Sequence, residues 1–171
     1  RALAILEQGD LLQAGRLAGL EEDEAADAAE LLASAGILES SRPLTFIHPI
    51  VRTGIYSDLT GTERAQGHRR AAQVLAEQPG ESERIAQHLL ISEPAADAWV
   101  AERLLEAARA AERNGAPESA AVFLRRVLDE PPRAEEQAGL LLELGMVEAS
   151  AGLAGWSEHL QQAVDAAPNA E

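Results

Sequence analysis

The chain has no cysteine and no lysine, and only two tryptophans, one tyrosine and two phenylalanines among its 171 residues. The missing thiols exclude disulfides and thiolate metal sites and fit a cytoplasmic compartment. With lysine absent, all 14 basic residues are arginine; they stand against 29 acidic residues, a net charge of −15. So acidic a surface repels phosphate backbones, and direct nucleic-acid binding by this segment is not expected. The acidity serves solubility, or else an acidic docking face. No charged n-region and apolar h-region open the chain. No unbroken apolar run approaches the roughly 20 residues of a membrane span, so no membrane partner is expected. There is no G-x-x-x-x-G-K-[ST] phosphate loop, which removes nucleotide hydrolysis by this segment alone. His48, His68, His88 and His159 are scattered and no H-E-x-x-H occurs, so neither a metal nor a bound cofactor is expected. Spacing alone leaves a Ser-His-Asp arrangement open, but no G-x-S-x-G elbow marks one. The segment does not read as an enzyme, and no catalytic residue is assigned.

What remains is rich in alanine and leucine, with 46% hydrophobic residues, a composition with high helix propensity and a core of small aliphatic side chains. The pattern predicts a short helix over Leu3–Leu6 closing near Gly9, and a second from Leu11 to Ala18 with Asp10 as N-cap and Gly19 at its end. A third begins at the acidic run Glu21-Glu22-Asp23-Glu24, suited to a positive helix N-terminus, and ends at Ala35 before Gly36. Ile37-Leu38-Glu39 and Leu44-Thr45-Phe46-Ile47, joined by Ser40-Ser41-Arg42-Pro43, read as a small β-hairpin. Three helices and a two-stranded wing make a winged-helix pattern. The rest reads as helices over 49–58, from Thr62 to Pro79-Gly80, 82–91, from Asp97 to Asn114-Gly115, 116–128, 135–151 and 155–167, with Pro94 and Pro131-Pro132 as breaks. The last two pairs repeat at about one tetratricopeptide period: Leu124 matches Leu160, Asp129 matches Asp165 and Pro132 matches Pro168. Ala108, Ala111, Gly145 and Ala149 supply small residues for close helix crossing. The expected fold is mainly α, a winged helix with a small β-hairpin followed by an antiparallel helical-repeat array. The expected division is 1–60 winged-helix-like, 61–95 a helical arm and 96–171 tetratricopeptide-like repeats. Arg1 falls directly in a helical pattern and the chain stops just after Pro168, so it reads as a fragment of something longer.

One run is pointed toward contact. In Phe46-Ile47-His48-Pro49-Ile50-Val51-Arg52, an extended stretch ends at His48 and Pro49 occupies a first helical position, where its fixed φ fits and its missing N–H is not needed. His48 then stands at a corner. Either it hydrogen-bonds a nearby backbone carbonyl and fixes the turn, or it contacts a nucleotide phosphate or a neighbouring ATPase domain. Arg52, four residues on, shares its helix face and either strengthens an anion contact or pairs with an acidic neighbour. Arg64, His68, Arg69 and Arg70 form a basic cluster that reads as a solvated helix face paired with Glu63 and Glu77; a nucleic-acid patch needs more such stripes and exposed aromatics. Trp99 and Trp156 read as packing residues, and Tyr56 as packing against the wing.

In order, Arg42-Pro43-Leu44-Thr45-Phe46-Ile47-His48-Pro49-Ile50-Val51-Arg52, Tyr56, Leu59, Glu63-Arg64 and His68-Arg69-Arg70-Ala71-Ala72 resemble the segment after the ATPase domain in large ATP-binding, LuxR-type transcriptional regulators. These are the MalT-like signal-transduction (STAND) ATPases common in GC-rich bacteria. Ile85-Ala86-Gln87-His88-Leu89-Leu90, Pro94 with Asp97-Ala98-Trp99-Val100, and Asn114-Gly115-Ala116-Pro117-Glu118-Ser119-Ala120 resemble the same proteins. The resemblance covers nearly the whole chain. It implies a nucleotide-binding domain before this segment, a tetratricopeptide-like sensor after it and a DNA-binding helix-turn-helix at the far C-terminus. ATP or ADP then belongs to the parent protein, as do ATPase activity and promoter binding. In related switches a winged-helix histidine contacts the bound nucleotide and holds the closed form; by resemblance His48, with Arg52 beside it, occupies that place. The expected function is signal relay, with an upstream ATPase domain as partner and an inducer ligand or protein on the repeats. Two other classes stay open: a helical-repeat scaffold for protein–protein interaction without a switch role, and a winged-helix DNA binder, against which the acidic residues from Glu21 to Glu30 count.

Overall fold

Alanine and leucine propensity, capped at defined points, produces ten helices among the described residues. In the computed structural model these are residues 1–130 and 134–167, with the backbone only at 134 and 135. The helices are α1 (Ala2–Leu6), α2 (Leu11–Ala18), α3 (Glu22–Ser34), α4 (Pro49–Ser57), α5 (Gly61–Leu75), α6 (Ser82–Ile91), α7 (Ala98–Arg113), α8 (Pro117–Asp129), α9 (Ala134–Ala151) and α10 (Trp156–Ala166). The expected breaks at Pro131-Pro132 and the Pro132–Pro168 match lie outside the described residues. No helix among them is long and apolar enough to cross a membrane.

Contacts divide the chain into two units: Arg1–Glu81 with Ile91–Glu93, and Ser82–Leu90 with Pro94–Glu171. Of the expected arm over 61–95, α5 lies in the first unit and α6, apart from Ile91, in the second.

In the first unit, α1 is short but almost wholly buried through Leu3, Ala4, Ile5 and Leu6. It packs on α2, α4 and α5, and α2 packs on α3 and α5. Asp10 caps α2 by accepting from the Gln13 amide at 2.6 Å, and Gly19 (φ 72°) ends it in a left-handed turn that a Cβ would strain. The close approach of α5 to α1 depends on Gly67, where a Cβ would lie 2.5 Å from Ile5 Cδ1.

The expected hairpin is reduced to one antiparallel bridge, Leu38 with Phe46, flanked by Glu39 N–H to Thr45 C=O at 3.0 Å and Ile47 N–H to Ile37 C=O at 3.1 Å. There is no sheet among the described residues. The reason lies in the donors. Pro43 has no N–H to give, and the Leu44 N–H is drawn to the Gly9 carbonyl at 2.8 Å instead of across the turn. Leu44 thus bridges Gly9, and Leu38 and Leu44 bury against Leu3.

In the second unit, α7 packs on α8, α8 on α9 and α9 on α10. Helix α7 buries Val100, Leu104, Ala107 and Ala108, the i, i+4, i+7, i+8 stripe of an amphipathic helix. Its partner α8 buries Phe123, Leu124 and Val127 on a similar stripe. Gly145 acts as the sequence predicts: a Cβ there would meet Leu160 Cδ2 at 2.7 Å and the Trp156 carbonyl oxygen at 3.0 Å, so its absence lets α9 and α10 touch.

Candidate functional site

His48 is the N-cap residue of α4, in extended backbone (φ −121°, ψ 115°), with Pro49 as the first helical residue. Its carbonyl accepts from the Val51 amide at 3.0 Å. Its side chain makes no cap hydrogen bond and is exposed. Among the described residues no group bonds the ring, so a carbonyl-bonded, turn-fixing histidine is not what this chain contains. Ile47 and Ile50 beside it are 40% and 76% exposed. The corner presents an imidazole flanked by apolar side chains to solvent.

Arg52 is drawn elsewhere. Its Nε donates to the Ala4 carbonyl at 3.2 Å, and its Nη2 donates to the Glu7 carboxylate. The acidic-neighbour alternative is therefore met by Glu7, just past the end of α1, which fastens α4 to α1. Glu7 is held at φ 66°, ψ −50°, a positive-φ conformation outside the left-handed helical region that glycine adopts without a Cβ penalty. With Arg52 so engaged, His48 and Arg52 do not converge on one empty site, although they share the start of α4.

The same arginine lies 5.9 Å from the centroid of the Tyr56 ring, and Arg64 lies 5.6 Å from it. Tyr56 meets His68 edge-on, with ring centroids 5.7 Å apart and its hydroxyl 2.8 Å from His68 Nε2. Burial pushes His68 below the ordinary imidazole range; Glu7 opposes this and Arg52 adds to it. Tyr56 Oη and His68 Nε2 share one hydrogen bond whose direction is set by the imidazole tautomer. This corrects three readings. His68 is 4% exposed, not on a solvated face. Glu63 pairs with Arg1 and Glu77 with Arg16, rather than with the basic cluster. Tyr56 packs on α5 through His68. The hydropathy pattern could not reveal this, because Tyr56 and His68 join across a helix–helix contact and neither is an apolar marker.

The second unit holds two buried carboxylates that sequence reasoning missed. Glu148 on α9 is fully buried. Its Oε1 accepts from Arg125 Nη2 at 2.7 Å and Nε at 3.0 Å, and its Oε2 lies 2.7 Å from His159 Nδ1. Glu148 thus holds the His159 ring through Nδ1. That is the base-and-orienter half of a hydrolase triad, but among the described residues no hydroxyl bonds Nε2, so no nucleophile completes it.

Glu130, 2% exposed, ties the end of α8 to the start of α7. Its Oε2 accepts from the Ala95 and Asp97 amides at 3.0 and 2.9 Å, and its Oε1 pairs with Arg126 at 2.9 Å. Burial pushes its carboxyl up, but the two amides and Arg126 outweigh that and hold it below the usual range. A run of acidic residues offers no spacing rule for finding such carboxylates; the positively turned Ala96 (φ 55°) between the two donors is equally silent in sequence.

Trp99 is half-buried near the start of α7, and Trp156 is 45% exposed at the start of α10. No group of three or more metal-ligating side chains gathers among the described residues. Compared with protein-family models, curated proteins and solved structures, the chain matches none.

Proposed function

We propose that this chain is a signal-relay segment of a LuxR-type, ATP-dependent transcriptional regulator, working in the cytoplasm. In this reading it couples an upstream nucleotide-binding domain to a sensor and a DNA-binding domain. The observation that carries the reading is the exposed His48 ring at the head of α4, bonded to nothing among the described residues, while Arg52 locks that helix to α1 through Ala4 and Glu7. A ring with no structural task on a firmly held helix supports a role in sensing an external group. The ordered resemblance across nearly the whole chain says which group: a nucleotide phosphate, or the domain that holds it. The helix-on-helix succession from α7 to α10 supports a tetratricopeptide-like sensor, and the Leu38–Phe46 bridge supports a vestigial wing. Coupling follows if nucleotide state and inducer each favour one docking of the His48 corner over another.

The test is the reading frame around this chain, with the nucleotide content of its purified product. A phosphate loop upstream, a helix-turn-helix downstream and co-purifying ADP or ATP are expected. A frame without either motif overturns the relay.

A pure interaction scaffold is the second reading. It is favoured by Leu142 and Met146, 49% and 62% exposed one helical turn apart on α9. In that case His48→Ala leaves every nucleotide property untouched, while Met146→Glu removes partner binding.

A further inference from the structure

The first unit contains a cavity of about 230 Å³ between α1, α2, α3 and the bridged segment. Its existence follows from side-chain length. Helices α2 and α3 approach so closely that a Cβ on Gly15 would stand 2.8 Å from the Ala25 Cβ, and apart from Leu11 and Leu32 they contribute only alanine methyls and Gly15 to the lining. These methyl groups are too short to fill it, and Phe46 and Ile55 close it from two other segments. Leu20 and Leu32, each 38% exposed, are among its lining.

We propose that this cavity is a binding site for a small, neutral, apolar molecule about the size of one ring with a short alkyl chain. Its lining is apolar apart from Arg1, and Arg1 is engaged with Glu63 at 3.4 Å. Water in such a space lacks the two to four polar partners that hold an ordered molecule, whereas apolar cavities of about 150 Å³ take up benzene. At about 230 Å³ the space admits an alkylbenzene and excludes a helix, which is about 10 Å across. The occupant is therefore a small molecule rather than a folded partner. Phe46 and Ile55 lie on either side of His48 along the chain, so an occupant touches both segments that place that ring. The site stands on its own packing and holds whether or not the relay reading does.

The test is titration of the full chain with n-butylbenzene, followed by calorimetry and thermal unfolding, with phenol as the polar comparison. Saturable one-to-one binding is expected, with a rise of a few degrees in Tm at saturating ligand and weaker binding of phenol. Ala28→Leu, checked by circular dichroism to be folded, fills the space and weakens butylbenzene at least tenfold; Ala14→Leu serves the same purpose if that variant does not fold. Absence of saturable binding, equal binding by a folded filled variant, or tighter binding of phenol overturns the site.

Discussion

His68 is a buried side chain whose charge the first unit controls. Burial holds its pKa below 6.5, so the unfolded chain takes up a proton before the folded one does. Stability therefore falls as pH drops from about 6.5 toward the folded value and levels off below it. Urea unfolding between pH 7.5 and 5 is expected to show this slope, and His68→Phe to flatten it. Glu130 acts in a lower window. Its carboxyl is held below 4.5, so its contribution is full above the unfolded value and is lost as pH falls through the folded one. Glu130→Gln is expected to lower stability at pH 7 and to reduce the loss on acidification below pH 4.5. Glu148 is a harsher case, a fully buried carboxylate facing Arg125. Arg125→Ala leaves that charge with His159 alone and is expected to cost about 3 kcal/mol in denaturant unfolding. Glu148→Gln, which keeps an amide oxygen for Arg125, is expected to cost less.

Helix contacts set the next level. Gly145 sits mid-helix, where alanine is ordinarily better by roughly 0.5–1 kcal/mol. Here the added methyl would press on Leu160 and on the Trp156 carbonyl, and backbone cannot step aside as a side-chain tip can. Gly145→Ala is therefore expected to destabilise the α9–α10 pair by about 1–2 kcal/mol net, read as a lower denaturation midpoint. Ala96 is the opposite case. At φ 55° it strains the loop that hands two amides to Glu130, and Ala96→Gly is expected to stabilise by about 1 kcal/mol. Capping and glycine chemistry made the helices legible from sequence: Asp10, Pro49 and Asp97 open helices where their chemistry directs, and Gly19, Gly36 and Gly115 stand just after helices in left-handed backbone. The hairpin was legible only as a turn. Its fate depended on a donor, the Leu44 N–H, choosing Gly9 some 35 residues away, and no local pattern encodes that competition.

For the molecule as a whole, the acidic balance has a definite place. Glu21, Glu22, Asp23, Glu24, Asp27 and Glu30 are all exposed on or beside α3, which presents phosphate with a repulsive face. The sequence located the His48 corner but not its surroundings. His48 and Arg52 share a helix face by spacing, yet Arg52 is spent on Ala4 and Glu7, residues 45 or more positions earlier, which spacing cannot anticipate. The division of labour that results, an anchored helix with an exposed ring at its head, is what the relay proposal rests on. The decisive measurement is ADP retention by the full-length protein carrying His48→Ala, with unfolding of the chain as control. The substitution is expected to leave stability within about 0.5 kcal/mol, as for an exposed side chain without contacts, while bound ADP is lost several-fold faster and basal transcription rises. Unchanged ADP retention in a stably folded variant contradicts the account.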